Sequence, residues 1–146
     1  MRNGIKRTVA YYREKFKTND PFKIADSLGI LYQFGNLDFE GCYMFLKNHR
    51  YIFLNQNLSE CELRLVMAHE LGHAILHPKE NCYFIRNKTL LLNSKTEIDA
   101  NRFAMELLLP DDIVLEYVDT GYTQEQISRI TGYHEKLIEL RLKGGV

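Results

Sequence analysis

His69, Glu70 and His73 are the residues in this chain whose types and spacing carry chemistry most plainly. The two histidines stand four positions apart, so on a helix both imidazoles project from one face. Two ring nitrogens placed that way can bind one Zn2+ at about 2.0–2.1 Å. Glu70 follows the first histidine directly and is placed to take a proton from water polarised by the ion. The order is H-E-x-x-H, the arrangement used for zinc-dependent peptide hydrolysis. The competing structural explanation is two surface histidines flanking a solvated glutamate. Gly72, between the histidines, costs a helix about 1 kcal/mol relative to alanine. Its presence predicts that another element packs very close at that point.

A catalytic zinc site needs a third protein ligand and one open position. The downstream candidates are Glu97, Asp99 and Glu106, with His77 and His134 as outsiders. Glu97 and Asn101 are four apart on one face of a second expected helix. A ligating carboxylate with a hydrogen-bonding partner one turn on is a sensible pair. Asp99 points away from that face and has a shorter reach. Glu97 also has a purely structural alternative, because Ser94 three residues earlier completes a capping-box pattern. His77 lies too close along the first helix for an extended three-histidine pattern and reads as a helix-end residue favoured by the dipole. Tyr83 and His77 are candidate donors to a developing oxyanion, and both also have plain structural roles.

The elements that must position these groups can be read in outline. Ile5, Val9, Tyr12 and Phe16 recur at helical spacing and predict a helix over 4–17. Asp20 caps a second helix that begins at Pro21 and ends at Gly29. Ile30 to Phe34, Cys42 to Leu46 and Tyr51 to Leu54 read as strands, the last two joined by a turn over Lys47 to Arg50. Ser59 and Glu62 form a capping box for the H-E-x-x-H helix, which runs to about His77 before Pro78. Leu58 and Leu63 sit where a hydrophobic staple would place them. A further helix fits 95–109 and Pro110 interrupts it. Shorter helices follow over 111–118, from the Thr123 and Gln126 cap to Gly132, and over 134–142.

Composition narrows the function classes. The chain has 146 residues, 45% of them apolar and 26% charged, which suits one globular domain with its own core. Nineteen basic and 19 acidic residues give zero formal charge, which argues against direct nucleic-acid binding as the main activity. No apolar run approaches a membrane span, and the first residues lack the apolar stretch of a signal peptide. Cys42, Cys61 and Cys82 form no C-x-x-C pair, so free, mostly buried thiols and a cytoplasmic location are expected. The charge is uneven along the chain. Residues 1–35 carry seven basic and three acidic side chains, and residues 97–119 carry one basic and seven acidic. An acidic flank beside a metal site would help receive a basic, DNA-binding protein.

The segment Ala68 to Pro78 resembles the zinc helix of the ImmA/IrrE family of metallo-endopeptidases. Glu97 to Ala104, continuing through Leu107 to Pro110, resembles that family's second motif, and Asn19 to Phe22 with Leu28 to Ile30 resembles its opening. The similarity touches most of residues 19–110. The family's third ligand is the glutamate that opens the second motif, which falls on Glu97. The resemblance implies a cytosolic, Zn2+-dependent protease, encoded on a phage or mobile element, that cleaves a partner repressor of helix-turn-helix type. The expected fold is α+β: a zincin-like minimal metalloprotease with a small, at least partly antiparallel sheet, the H-E-x-x-H helix packed on a second ligand-bearing helix, and a helical C-terminal tail. Residues 1–110 would form the peptidase domain and 111–146 an extension packed on it as a single unit. A rival reading takes the tail as a helix-turn-helix, with Arg129, Lys136, Arg141 and Lys143 meeting phosphates. The protein would then be a non-catalytic, zinc-containing regulatory or binding module.

Overall fold

The computed structural model describes the backbone of residues 2–84 and 94–146, with the side chains of residues 4–81 and 94–146. The element order is α1 (Arg2–Phe16), α2 (Pro21–Leu28), β1 (Leu31–Gly35), β2 (Gly41–Leu46), β3 (His49–Asn55), α3 (Glu60–Leu76), β4 (Cys82–Phe84), α4 (Lys95–Leu108), α5 (Asp111–Thr120), α6 (Gln124–Thr131) and α7 (Glu135–Lys143). The class is α+β, as the sequence predicts. Local chemistry accounts for most boundaries. Asp20 accepts from Phe22 N at 2.9 Å, and Gly29 closes α2 at φ 72°, a left-handed conformation suited to glycine. Both halves of the Ser59–Glu62 capping box are formed at 3.2 Å. The Thr123–Gln126 box forms in the same way.

The sheet is mixed, with strand order β1-β3-β2-β4. β1 pairs in parallel with β3, and β2 pairs antiparallel with both β3 and β4. The turn between β2 and β3 is tighter than the sequence suggests. Only Lys47 and Asn48 lie outside the strands, and both have positive φ, at 51° and 63°. That is the primed hairpin geometry whose twist matches the flanking strands. Arg50 therefore belongs to β3, and its guanidinium donates to Leu28 O and Ala74 O at 3.3 Å each. It ties the sheet to the ends of α2 and α3. β4 is not legible in the sequence, because three residues carry no readable alternation; it pairs only with Gly41 to Tyr43.

α3 is the middle layer. It packs on β2 and β3 on one side, on α4 on the other, and against α2. Every residue from Val66 to Ala74 is buried, so this helix is surrounded rather than amphipathic. Leu71 and Phe103 are fully buried in the main core, each worth roughly 1.5–3 kcal/mol of apolar burial. A second core joins α4 to the last three helices through Met105, Leu109, Val114, Ile127, Leu137 and Ile138. Leu58 and Leu63, which flank the start of α3, both pack on the main core.

Two polar features also shape the packing. Arg141 is 2% exposed. It donates to Leu109 O at 2.8 Å and to Asp111 at 2.7 Å, and its Nη1 is 3.3 Å from Glu106. Lys6 reaches the same two carboxylates at 2.6 and 3.2 Å, so one charged cluster fastens α1, α4, α5 and α7 together. Burial works to raise the Asp111 carboxyl, but hydrogen bonds and charge from Lys6 and Arg141 outweigh this and hold it below 3.8. Second, a Cβ on Gly72 would lie 3.1 Å from Phe103 Cβ and 3.2 Å from both Ala100 Cα and Ala100 O. The close neighbour expected from the sequence is α4.

Two outcomes follow from these contacts. Gly72→Ala gains about 1 kcal/mol of helix propensity, but its methyl meets backbone atoms that cannot rotate away. Overpacking of about 1–3 kcal/mol should prevail, lowering the thermal midpoint by calorimetry. For Asp111, the depressed folded value means that the unfolded chain binds more protons below pH 3.8, so stability falls as pH drops through that range. Asp111→Asn, which lacks the carboxylate already, should show a smaller loss between pH 4 and 2 by circular dichroism (~two pH units, the span in which such a group titrates).

Candidate metal centre

α3 contributes His69 and His73 from one face, and the first turns of α4 contribute Glu97 and Asn101. The Gly72 contact lets the two helices approach closely enough for these side chains to meet. His69 Nε2 lies 2.9 Å from Glu97 Oε1, His73 Nε2 lies 2.9 Å from Glu97 Oε2, and the two histidine Nε2 atoms are 3.2 Å apart. One ligand atom from each of the three residues falls within 4.8 Å of the others. Both imidazoles are 1% exposed and Glu97 is 8% exposed.

The donor chemistry fits a divalent cation. His69 Nδ1 is 2.8 Å from Asn101 Oδ1. Only an Nδ1–H can donate to that oxygen, which leaves the Nε2 lone pair facing inward in the neutral ring. Two imidazole nitrogens and a carboxylate then converge on one point. Donors around a tetrahedral ion at about 2.0–2.1 Å stand about 3.3 Å from one another, so the observed spacings need widen by only a few tenths of an ångström. Burial pulls the His73 imidazole below 6.5, although its hydrogen bond to Glu97 works the other way. Burial works to raise the Glu97 carboxyl, but the hydrogen bonds from His69 and His73 prevail and bring it to about 2. A neutral imidazole and an ionised carboxylate are the states in which these side chains bind metal. Three protein donors leave a fourth position open.

Glu70 is fully buried, and neither carboxylate oxygen has a hydrogen-bond partner among the described residues. Burial, and then the charge of Glu97, hold its carboxyl well above 4.5. The start of β2 lies against it: a Cβ on Gly41 would be 3.5 Å from Glu70 Oε2 and only 2.7 Å from Val66 Cγ1. Burial, with Glu70 as second cause, raises the neighbouring Cys42 thiol to about 11. Gly41 is not among the residues that the sequence singles out. Its one signal is a glycine opening an apolar strand, a common mark of close backbone approach.

The remaining candidates lie elsewhere. Asp99 is buried beside His77 Nε2 and Lys95 Nζ, each 3.4 Å from its Oδ2. Glu106 belongs to the Arg141 cluster, and His134 caps α7 by accepting from Lys136 N. The Ser94–Glu97 capping box is not formed: Ser94 makes no side-chain cap and contacts Thr96 Oγ1 at 3.0 Å, while Glu97 turns to the histidines. The Tyr83 and Cys82 side chains lie outside the described residues. Cys42 and Cys61 are free thiols. The acidic flank is smaller than the sequence count suggests. Of the seven carboxylates in 97–119, Glu97, Asp99 and Glu106 are buried and Asp111 is bound to Lys6 and Arg141. Asp112, Glu116 and Asp119 stay exposed on α5.

The α+β fold carries a buried His-His-Glu cluster that could hold a metal ion, with a buried glutamate beside it, and the family match places the chain in the metallopeptidase class. Residues 25–143 match the peptidase family described as the IrrE N-terminal-like domain, and the chain belongs to that ImmA/IrrE family. It is 40% identical over 139 residues to "Uncharacterized immunity region protein 2" of Bacillus phage phi105, covering 94% of this chain and 88% of that one. It is 39% identical over 80 residues to "Metallopeptidase ImmA" of Bacillus subtilis (strain 168), covering 53% of this chain and 46% of that protein. No described helix is long and apolar enough to cross a membrane.

The geometry separates the rival third ligands. Glu97→Ala should strip the purified protein of metal, while Asp99→Ala should keep it, as read by elemental analysis. Asn101→Ala should weaken metal affinity about 10–100-fold in chelator competition, through loss of the His69 partner. Preferential metal loss in the Asp99 variant would reverse the assignment.

Proposed function

We propose that this protein is a zinc-dependent endopeptidase of the cytoplasm that cleaves a helix-turn-helix transcriptional repressor of a phage or mobile element. His69, His73 and Glu97 hold the ion, Asn101 orients His69, and Glu70 is the catalytic base. Residues 1–110 form a zincin-like peptidase unit, and 111–146 are a helical extension packed on it. The observation that carries this reading is the convergence of the His69, His73 and Glu97 donor atoms beside the buried Glu70. The immunity-region name of the phage relative supports a repressor as substrate.

Bound Zn2+ supplies Lewis acidity toward the peptide carbonyl and lowers the pKa of water to about 7. Glu70 accepts the proton of the attacking water at a carboxylate oxygen and delivers it to the departing amine nitrogen. Neither Glu70 oxygen has a hydrogen-bond partner among the described residues, which leaves both available for that proton. Asn101 fixes the His69 ring through Nδ1. An extended substrate can add to a sheet edge. Among the described residues, β4 is the edge on the side of Gly41 and Glu70.

The rival reading of the tail as a DNA-binding module has less support. Of the cations it requires, Arg141 is buried, Arg129 pairs with Glu125 at 3.3 Å, and Lys143 pairs with Glu139 at 3.0 Å. A pure structural zinc site also has no use for a buried, uncompensated Glu70. The test is Glu70→Gln. It should retain metal and lose cleavage of the repressor, read on a gel, by about 10²-fold or more. Unchanged cleavage would remove the protease reading as stated.

A further inference from the structure

α4 carries a second feature beside the metal-binding face. Ile98 follows Glu97 and Arg102 follows Asn101, so this pair lies on the adjacent stripe of the helix. α7 packs against that stripe. Between the helices lies an open groove of about 340 Å³, lined by Ile98, Arg102, Lys136, Glu139, Leu140 and Lys143. Its apolar lining is Ile98 and Leu140, and its charged groups are three cations and one carboxylate. Glu139 is taken up by Lys143. Arg102 and Lys136 have no carboxylate partner within salt-bridge distance among the described residues. Arg102 is also the single basic residue of 97–119, so its position in the groove is set against the acidic bias of the surrounding sequence.

We propose that the α4–α7 groove is a docking subsite for an acidic, partly apolar segment of the protein substrate, separate from the metal centre. The proposal rests on the peptidase reading only for the word substrate; the recognition itself needs no turnover. The groove combines those two cations with two apolar side chains in one lining, which complements a carboxylate next to an aliphatic residue. It is concave and takes side chains. A nucleic-acid backbone instead needs a row of cations along a surface, and the other basic side chains of the tail are buried or paired. The two surfaces divide the recognition: the exposed carboxylates of α5 can face a basic region of the partner, and the groove an acidic one.

The experiment uses the full-length, metal-loaded Glu70→Gln protein, which holds a bound peptide without cutting it. The probe is a short fluorescent peptide rich in glutamate and leucine, compared by anisotropy with the same peptide carrying glutamine for glutamate. The glutamate peptide should bind at least about tenfold more tightly and weaken as salt is raised. Lys136→Glu, at an exposed position, should abolish that preference with an unchanged melting curve, and Arg102→Glu should do the same. Equal binding of the two peptides, or a preference that survives both substitutions, would overturn the proposal. So would binding of duplex DNA that competes with the peptide and is lost in Lys136→Glu. Should Glu70→Gln still cleave the repressor, the peptidase reading fails, while the anisotropy comparison still decides whether the groove takes acidic peptides.

Discussion

The structure depends on how closely α3 and α4 approach one another. A carboxylate on one helix can meet two imidazoles on another only if the helix axes are brought near, and side chains at the crossing normally prevent this. Gly72 removes the obstruction on α3, and Ala100 presents only backbone and a methyl on α4. Phe103 then fills the space beside the contact. The same crossing places Asn101 against His69 and Glu97 against both histidines, so one close contact sets four polar side chains at once.

Much of this is legible in the sequence because the signals are local. The H-E-x-x-H spacing, the Ser59–Glu62 box and the Asp20 to Gly29 helix each depend on residues a few positions apart, and the chain folds there as the sequence indicates. The glycine between the histidines is informative because it is locally unfavourable, and an unfavourable residue in a strong helix points to a neighbour. What the sequence withholds is nonlocal. The parallel pairing of β1 with β3 leaves no mark on either strand. Ser94 and Glu97 match a capping pattern, yet the pull of two imidazoles outweighs a cap worth about 1 kcal/mol. Arg141 looks like an ordinary cation on a terminal helix; its burial depends on carboxylates about 30 residues earlier in the chain.

Net charge illustrates the same limit. The acidic run after Glu97 reads as one surface in the sequence, but the fold uses its members for different purposes. One faces the histidines, one pairs with His77 and Lys95, and two hold the Lys6–Arg141 cluster. The outer surface of α4, where Lys95 and Arg102 remain while its three carboxylates are buried, therefore differs in sign from what the local composition suggests. Counting charges along a chain says little about a surface until burial has removed the engaged groups.

The mixed sheet also bears on the order of assembly. The β2–β3 hairpin closes through a two-residue turn and needs no other element, so it can form on the scale of about 1–10 μs. β1 pairs directly and in parallel with β3, with β2 lying between them only in the sequence, and its register is defined only once β3 is in place. α3 packs on β2 and β3, and α4 packs on α3. His69 and His73 share one helix and Glu97 comes from another, so the cluster of donors cannot exist before α3 and α4 have packed together.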